Sequence, residues 1–277
     1  MQLFSMEGGS AMSEATLRLV VFLAVFGIMA TAEALRPKRR LAHAKGRRWL
    51  TNLAIVAVDS VLVRLMGALA IPLVAVAAAV FAARQGWGLF NWLDWPIWLE
   101  IALAVVILDL AIWFQHLVSH KVPLLWRLHQ MHHADVDIDV TTAIRFHPIE
   151  IGLSMLWKIL CVVALGASPE AVLLFEIILN ACAMFNHANV ALPAGVDRLL
   201  RLIVVTPDMH RVHHSVIRSE HDSNYGFNLS VWDRIFGTYR PAPQHGHDGM
   251  TIGLTPYQSE APTRFIWSLM LPFHGRS

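Results

Sequence analysis

Histidines recur at helical spacing in three stretches of the sequence, and their side chains could bind metal. The eight residues are His116 and His120, then His129, His132 and His133, then His210, His213 and His214, which repeat the second pattern. Residues three or four apart share one face of a helix, so such pairs can chelate one ion. Adjacent histidines differ by about 100° around a helix. His132 and His133 can therefore face two different ions, one of them shared with His129.

The elements that must position these histidines are apolar. Of 277 residues, 56% are hydrophobic and 15% are charged, whereas a soluble domain is nearer one quarter charged. The apolar residues form long runs, which is typical of membrane helices of about 20 residues. The sequence predicts an all-α fold, a polytopic membrane bundle of about four to five spanning or re-entrant helical segments with a cytoplasmic histidine-rich helical cap.

The first apolar run, residues 16–35, is long enough to span a bilayer. A cleaved signal peptide is the alternative, because residues 32–34 read AEA, but Glu7 and Glu14 replace the expected basic segment. The following residues 36–48 carry seven Arg and Lys and no acidic residue. We interpret them as a cytoplasmic loop that sets orientation and touches anionic lipids, rather than a nucleic-acid site.

Four further segments lead to the histidines. Residues 50–83, interrupted by Pro72, are one tilted or kinked helix or a tight hairpin. Tryptophan-rich residues 86–98 suit a membrane interface or a packed loop. Residues 97–120 end in the first histidine pair, and residues 150–167 and 170–186 form a hairpin that delivers Asn186, His187 and Asn189. Cys161 and Cys182 lie in apolar runs, where we expect small buried hydrophobes rather than a disulfide.

Two polar features lie near the histidines. Asp109 shares a helical face with His116, where it could orient that imidazole, hold a polar substrate group or bond to another helix. Residues 134–148 read as a solvated connector, because the alternating Asp135, Asp137 and Asp139 lack the glycine and final glutamate of a calcium loop. His147 at its end is an additional candidate ligand.

The orientation of the spans is predicted by the basic loop. If residues 36–48 are cytoplasmic, the second region leads out, the third leads back, and the later hairpin leaves and returns. All histidine stretches then reach the cytoplasmic face, as one site requires. We expect an integral protein of a bacterial inner membrane.

Taken together, these motifs resemble the fatty acid hydroxylase / sterol desaturase superfamily. The resemblance rests on HxxxH, two HxxHH motifs, RFHP, the NH element at 186–187, NYG at 224–226 and WDRIFGT at 232–238, and it covers roughly residues 105–240. It divides the chain into N-terminal membrane helices (1–104), a catalytic domain (105–240) and a tail (241–277).

The resemblance implies a non-haem di-iron oxygenase that hydroxylates or desaturates a lipid (sterol, fatty acyl, sphingolipid or ether lipid). It implies a ligand set of nine histidines, His116, His120, His129, His132, His133, His187, His210, His213 and His214. Additional candidates are His147, His221, Asn186 and Asn189. The implied partners are a lipid substrate, O2, the membrane and an external electron donor (ferredoxin, cytochrome b5-like protein or reductase), with no nucleic acid. Zinc could replace the two irons in purified samples.

Other functions remain as alternatives. A metal transporter or binding protein without oxygenase activity would want polar ligands along its spans, and Asp59, Arg64, Asp109 and Glu176 are candidates. A haem carrier would use one or two axial histidines. A structural zinc site would be closed, without turnover.

Overall fold

A computed structural model describes residues 13–69 and 74–274 of the chain. The helices that it contains are α1 (Glu14–Leu35), α2 (Lys45–Leu69), α3 (Ala75–Gln85), α4 (Ile97–Lys121), α5 (Pro123–His133), α6 (Pro148–Leu165), α7 (Pro169–His187), α8 (Ala194–Leu200), α9 (Pro207–His213), α10 (Arg218–His221), α11 (Val231–Ile235), α12 (Gly246–Gly249) and α13 (Phe265–His274). Short 3₁₀ turns lie at Leu89–Trp92, Val140–Ile144, Thr255–Tyr257 and Ala261–Thr263. Over the described ranges there is no β-strand, only isolated bridges.

Five of these helices, α1, α2, α4, α6 and α7, are long and apolar enough to cross a membrane. Their outward faces carry exposed large apolar side chains, among them Leu23, Leu65 and Leu160, each more than half exposed. Apolar surface of this extent is stable against lipid and not against water. The prediction of an all-α bundle with several spanning helices is therefore confirmed.

Helix α7 lies at the centre of the bundle and packs against α1, α3 and α4. The main apolar core lies between α3, α4, α6 and α7 and includes Leu108, Val162 and Phe175. Gly166 follows the last residue of α6, and its backbone lies in the left-handed region at φ 66°. A Cβ there would collide with the backbone carbonyl of Trp87, so this close turn requires glycine.

The apolar region 50–83 is two helices rather than one. α2 is long enough to span, whereas α3 has 11 residues and is too short. Buried Ala78, Ala79 and Ala82 let α3 pack closely on α6 and α7. Pro72 lies outside the described residues.

The basic segment lies at the same end of the bundle as the histidines. The Lys38 ammonium pairs with Asp208 at 3.0 Å, and the backbone N–H groups of Ala42 and His43 donate to Asp137. This agrees with the expectation that residues 36–48 and the histidines share one membrane face.

Residues 134–148 do not form a solvated connector, so that interpretation was wrong. The guanidinium of Arg48, which is 1% exposed, binds the carboxylates of Asp135 at 2.9 Å and Asp139 at 2.7 Å. Burial alone would raise the pKa of Asp135, but the charges of Arg48 and Arg145 and the hydrogen bonds to the carboxylate together lower it below its usual range. A buried cation from the start of α2 thus holds these acidic residues inside the protein.

Candidate metal centre

The histidines converge in two groups at one end of the bundle. The first group holds His116, His120, His129, His133 and His213, and the second holds His132, His187, His210 and His214. Within each group the possible ligand atoms all lie within 4.8 Å of one another. Every one of these side chains is at most 4% exposed. All nine residues named as implied ligands are thereby brought together.

Helical geometry divides the residues between the groups. On α5, His129 and His133 are four residues apart and enter the first group, while His132 turns to the second. On α9, His213 enters the first group, while His210 and the residue that follows the helix, His214, enter the second. Each HxxHH motif therefore supplies both groups, because adjacent residues point about 100° apart.

Backbone carbonyls fix the orientation of four imidazoles. The Nδ1 atoms of His116, His213 and His187 lie 2.7 Å from the carbonyl oxygens of Tyr225, Ser223 and Ala183. His132 Nδ1 lies 3.2 Å from the Arg145 carbonyl. A carbonyl oxygen can only accept, so each Nδ1 carries the proton and each Nε2 presents its lone pair to the group. This is the arrangement typical of histidine bound to metal.

Glu150 performs the same task for His129 with a carboxylate. Its Oε1 lies 2.6 Å from His129 Nδ1, and the side chain is buried at the first turn of α6. Glu150 is not among the residues predicted from the sequence. The available signal was an acidic residue in an apolar helix two residues after Pro148.

Nitrogen lone pairs face each other inside both groups. The distances between these nitrogens show whether a metal ion would fit between them. Nε2 of His116 lies 3.2 Å from Nε2 of His129, and Nε2 of His187 lies 3.2 Å from Nε2 of His132. All four of these imidazoles hold their proton on Nδ1. Bare nitrogens at this separation repel unless a cation lies between them. Nitrogens about 2.1 Å from one ion and about 90–100° apart would be separated by about 3.0–3.2 Å. The donor set therefore fits two ions.

Burial also keeps the imidazoles neutral. Desolvation, reinforced by neighbouring histidines, lowers the pKa of His133 and His214 well below the usual range. Nε2 of each has no hydrogen-bond partner in the described part of the chain. Neutral imidazole is the form that binds metal, so no proton must be displaced.

Three of the additional candidates point elsewhere. His147 caps α6, with Nδ1 accepting from the Ile149 N–H and Nε2 donating to the Leu269 carbonyl. Asn189 bonds the backbone of Arg39, and the Asn186 amide donates to the Phe227 carbonyl. His147 and Asn189 are thus occupied outside the two groups, whereas the Oδ1 atom of Asn186 is buried without a partner among the described residues.

His221 differs from those three because it lies beside the first group. Its ring stacks on Trp126 at 5.4 Å and lies 6.0 Å from the His120 ring. Its Nδ1 is near the Ser215 carbonyl, and its buried Nε2 has no partner among the described residues.

Asp109 acts on the loop that holds His116, and it forms no hydrogen bond to an imidazole among the described residues. Its Oδ2 accepts from Trp232 Nε1 at 2.8 Å and from the Leu229 N–H at 3.1 Å. Asp233 accepts from the N–H groups of Tyr225 and Gly226. The two carboxylates thus fix the segment whose Tyr225 carbonyl orients His116. The WDRIFGT motif has a structural role that its sequence alone did not show.

A cavity of about 220 Å³ between α2, α4, α6 and α7 reaches His116 and His129. Its wall is largely apolar and includes Ile112, Leu179 and Phe227.

A second space, a groove of about 270 Å³, lies between α4, α5 and α6 and is lined by Phe114 and Leu153. Gln115, Ser119 and Glu150 border both spaces. Phe114 and Leu153 are 47% and 44% exposed on the lipid-facing surface, so the groove opens sideways toward the bilayer.

Known proteins are similar to the part of the chain that contains the two histidine groups. Residues 101–238 match the fatty acid hydroxylase family. The ornithine lipid hydroxylase OlsE of Rhizobium tropici is 27% identical over 92% of this chain and 75% of its own length. Human alkylglycerol monooxygenase is 32% identical over 63% of this chain and 38% of its own. Sphinganine C4-monooxygenase 1 of Arabidopsis thaliana is 24% identical over 51% of this chain and 54% of its own. No solved structure matches the chain.

Proposed function

The chain belongs to the fatty acid hydroxylase / sterol desaturase superfamily of lipid-modifying oxidoreductases, and we propose that it is a membrane-bound non-haem di-iron oxygenase. One observation carries this proposal, namely nine buried imidazoles divided into groups of five and four. Nine nitrogen donors exceed what one ion needs, and two ions would share them. The same histidines are the proposed ligands.

The protein's own residues would hold and isolate the ions. Bound iron would supply the redox chemistry that activates O2. Glu150 and the backbone carbonyls hold protons on Nδ1, which keeps each Nε2 available as a donor. The apolar cavity against His116 and His129 excludes water and brings a lipid C–H bond next to the first group.

The substrate enters, in this proposal, through the groove between α4 and α6. The groove is apolar and opens at the level of the histidines, so an alkyl chain can leave the bilayer sideways. The names of the three relatives describe hydroxylation or monooxygenation of lipids. This supports hydroxylation over desaturation. O2 and an external electron donor, such as ferredoxin, a cytochrome b5-like protein or a reductase, complete the reaction.

Lipid analysis of cells that express the full chain tests this function. We expect lipids one oxygen atom heavier than their precursors, absent when His132→Ala is expressed at the same level in the membrane. The purified wild type should hold about two ions per chain without a haem absorption band, with zinc counting as a surrogate for iron. Ions without any oxidised lipid would support a transporter or a structural metal protein instead.

We also propose that the histidine groups face the cytoplasm of a bacterium, with the catalytic domain spanning residues 105–240 between the N-terminal helices and the tail. Ala44→Cys and Gln244→Cys introduce exposed cysteines at the histidine end, and Asp94→Cys introduces one near the opposite end. An impermeant maleimide should label position 94 in intact inner-membrane spheroplasts, and positions 44 and 244 only after lysis. Labelling of position 44 before lysis would reverse the orientation.

A further inference from the structure

Asp59 is an ionisable side chain that the proposed mechanism does not use, and it lies in the cavity between α2, α4, α6 and α7, here called the inner cavity. It lies in the middle of α2, is 6% exposed and lines the cavity that reaches His116 and His129. Within residues 13–69 and 74–274, Asp59 forms no hydrogen bond and no ion pair, and its Oδ1 is buried without a partner. A carboxyl group inside a membrane helix is costly without a partner, and such groups mark functional sites.

The other charged groups of the cavity already have partners. Glu150 accepts from His129, and the Lys158 ammonium lies 2.7 Å from Glu176. Glu176 also binds Arg18 at 2.7 Å, so two cations share one carboxylate away from Asp59. The wall of the cavity therefore offers an unused acceptor at Asp59, besides the second oxygen of Glu150. Of the two, only Asp59 forms no hydrogen bond within the described residues.

The inner cavity and the outer groove between α4, α5 and α6 are adjacent, share Gln115, Ser119 and Glu150 as wall residues, and differ in polarity. The inner cavity is bordered by Asp59, Ser154 and Asn180 in addition to its apolar wall. The outer groove is almost wholly apolar and is lined by residues such as Leu125 and Leu153. A simple alkyl chain would use only the groove, and the polar wall of the inner cavity would gain nothing from it.

We infer that the substrate is a lipid with an amine, amide N–H or hydroxyl group close to its reacting carbon, and that this group donates a hydrogen bond to Asp59. The alkyl chain then lies in the outer groove, and the polar group enters the inner cavity beside His116 and His129. This inference rests on the proposed function for the identity of the ligand as substrate. It assigns Asp59 as a residue that determines specificity.

Photolabelling tests the inference without any oxidation step. Three probes share one long alkyl chain with a diazirine and end in an amine, a hydroxyl group or a methyl group. With the full chain in lipid nanodiscs, we expect the amine or hydroxyl probe to label cavity residues such as Ile112 and Phe227. The methyl-ended probe should label the outer groove alone. Equal labelling of the cavity by all three probes would overturn the inference.

Two substitutions of Asp59 are compared with a matched exposed control. Loss of a hydrogen bond to a neutral buried carboxyl weakens binding about 2- to 12-fold. Asp59→Leu should therefore need about 2- to 12-fold more polar probe for half-maximal labelling. Asp59→Asn keeps an acceptor oxygen and should need less than Asp59→Leu, and Asp94→Asn should need no more than wild type. Labelling by the methyl-ended probe should be unchanged in every variant.

Thermal stability separates ligand binding from a packing role. Removal of an unpartnered buried carboxyl does not destabilise a membrane helix. Asp59→Leu should therefore unfold at or above the wild-type temperature, with unchanged metal content. A lower unfolding temperature, or unchanged polar-probe affinity, would show that Asp59 only packs the bundle. Asp59-dependent labelling without any oxidised lipid in cells would instead refute the proposed oxygenase and leave the binding site established.

Discussion

Glu150→Gln should weaken the binding of one metal ion and leave the binding of the other unchanged. Glu150 contacts His129 of the first group through a 2.6 Å bond, and no hydrogen bond joins it to a histidine of the second group. Glutamine keeps an acceptor oxygen but loses the charge. A hydrogen bond to a charged group contributes about 1.5–3 kcal/mol and a neutral one about 0.5–1.5 kcal/mol, so the exchange costs about 1–1.5 kcal/mol. That is about 5- to 12-fold in affinity.

Glu150→Ala should have a larger effect, because it removes the acceptor completely. Loss of a partner that orients a metal-bound histidine typically costs about 10- to 100-fold in affinity. The control is Glu170→Gln, which removes a carboxylate from the first turn of the neighbouring α7. Both exchanges remove a favourable helix-dipole contact. Only the exchange at Glu150 should alter a metal ligand.

The assay is competition with a chelator, followed by elemental analysis of the purified full chain. Wild type should release its ions at two chelator concentrations, and in Glu150→Gln one step should move to about 5- to 12-fold lower concentration. Glu170→Gln should reproduce the wild-type curve. Equal weakening of both ions, or a wild-type curve for Glu150→Ala, would refute the role of Glu150 and the division into two independent groups.

Three other predictions follow from the same contacts. Arg48→Met leaves buried carboxylates without a cation and should destabilise the protein by about 3–5 kcal/mol, measured by thermal unfolding against Arg47→Met, whose side chain is 51% exposed. The pKa of Asp135 in the folded protein is depressed, so its contribution to stability is present above about pH 4 and is lost as pH falls through the folded pKa. Unfolding temperatures measured over a pH series should show this loss. The loss should be smaller in Arg48→Met. His213→Ala leaves four donors in the first group and His214→Ala leaves three in the second. Each should therefore weaken the binding of its own ion, so one release step of the chelator titration should move to lower concentration in each variant and both steps in the double variant.

The sequence was sufficient to predict the features that repeat along one helix. Long apolar runs predicted the spanning helices, and the spacing of three and four residues predicted how α5 and α9 share their histidines between two groups. These features depend on helical periodicity, which is a local property.

Contacts between distant residues were not predictable in the same way. Arg48 and Asp135 are 87 positions apart, and His129 and Glu150 are 21 apart. The alternating aspartates were therefore interpreted as part of a solvated loop. The basic segment was interpreted only as a signal for membrane orientation. Asp109 lies on the expected helical face, but its partners come from the 229–232 segment, which no periodic pattern connects to α4.

The C-terminal tail has a consequence for how the protein is made. Arg145 orients His132 through its backbone carbonyl. Its guanidinium donates to the Pro262 carbonyl and the Ser268 hydroxyl. The His214 carbonyl accepts from the Gly253 N–H, and α13 packs against α5. All of these C-terminal supports lie later in the chain than every histidine of the two groups. The histidine groups can therefore reach their final geometry only after residues 253–268 have been synthesised and have packed against them.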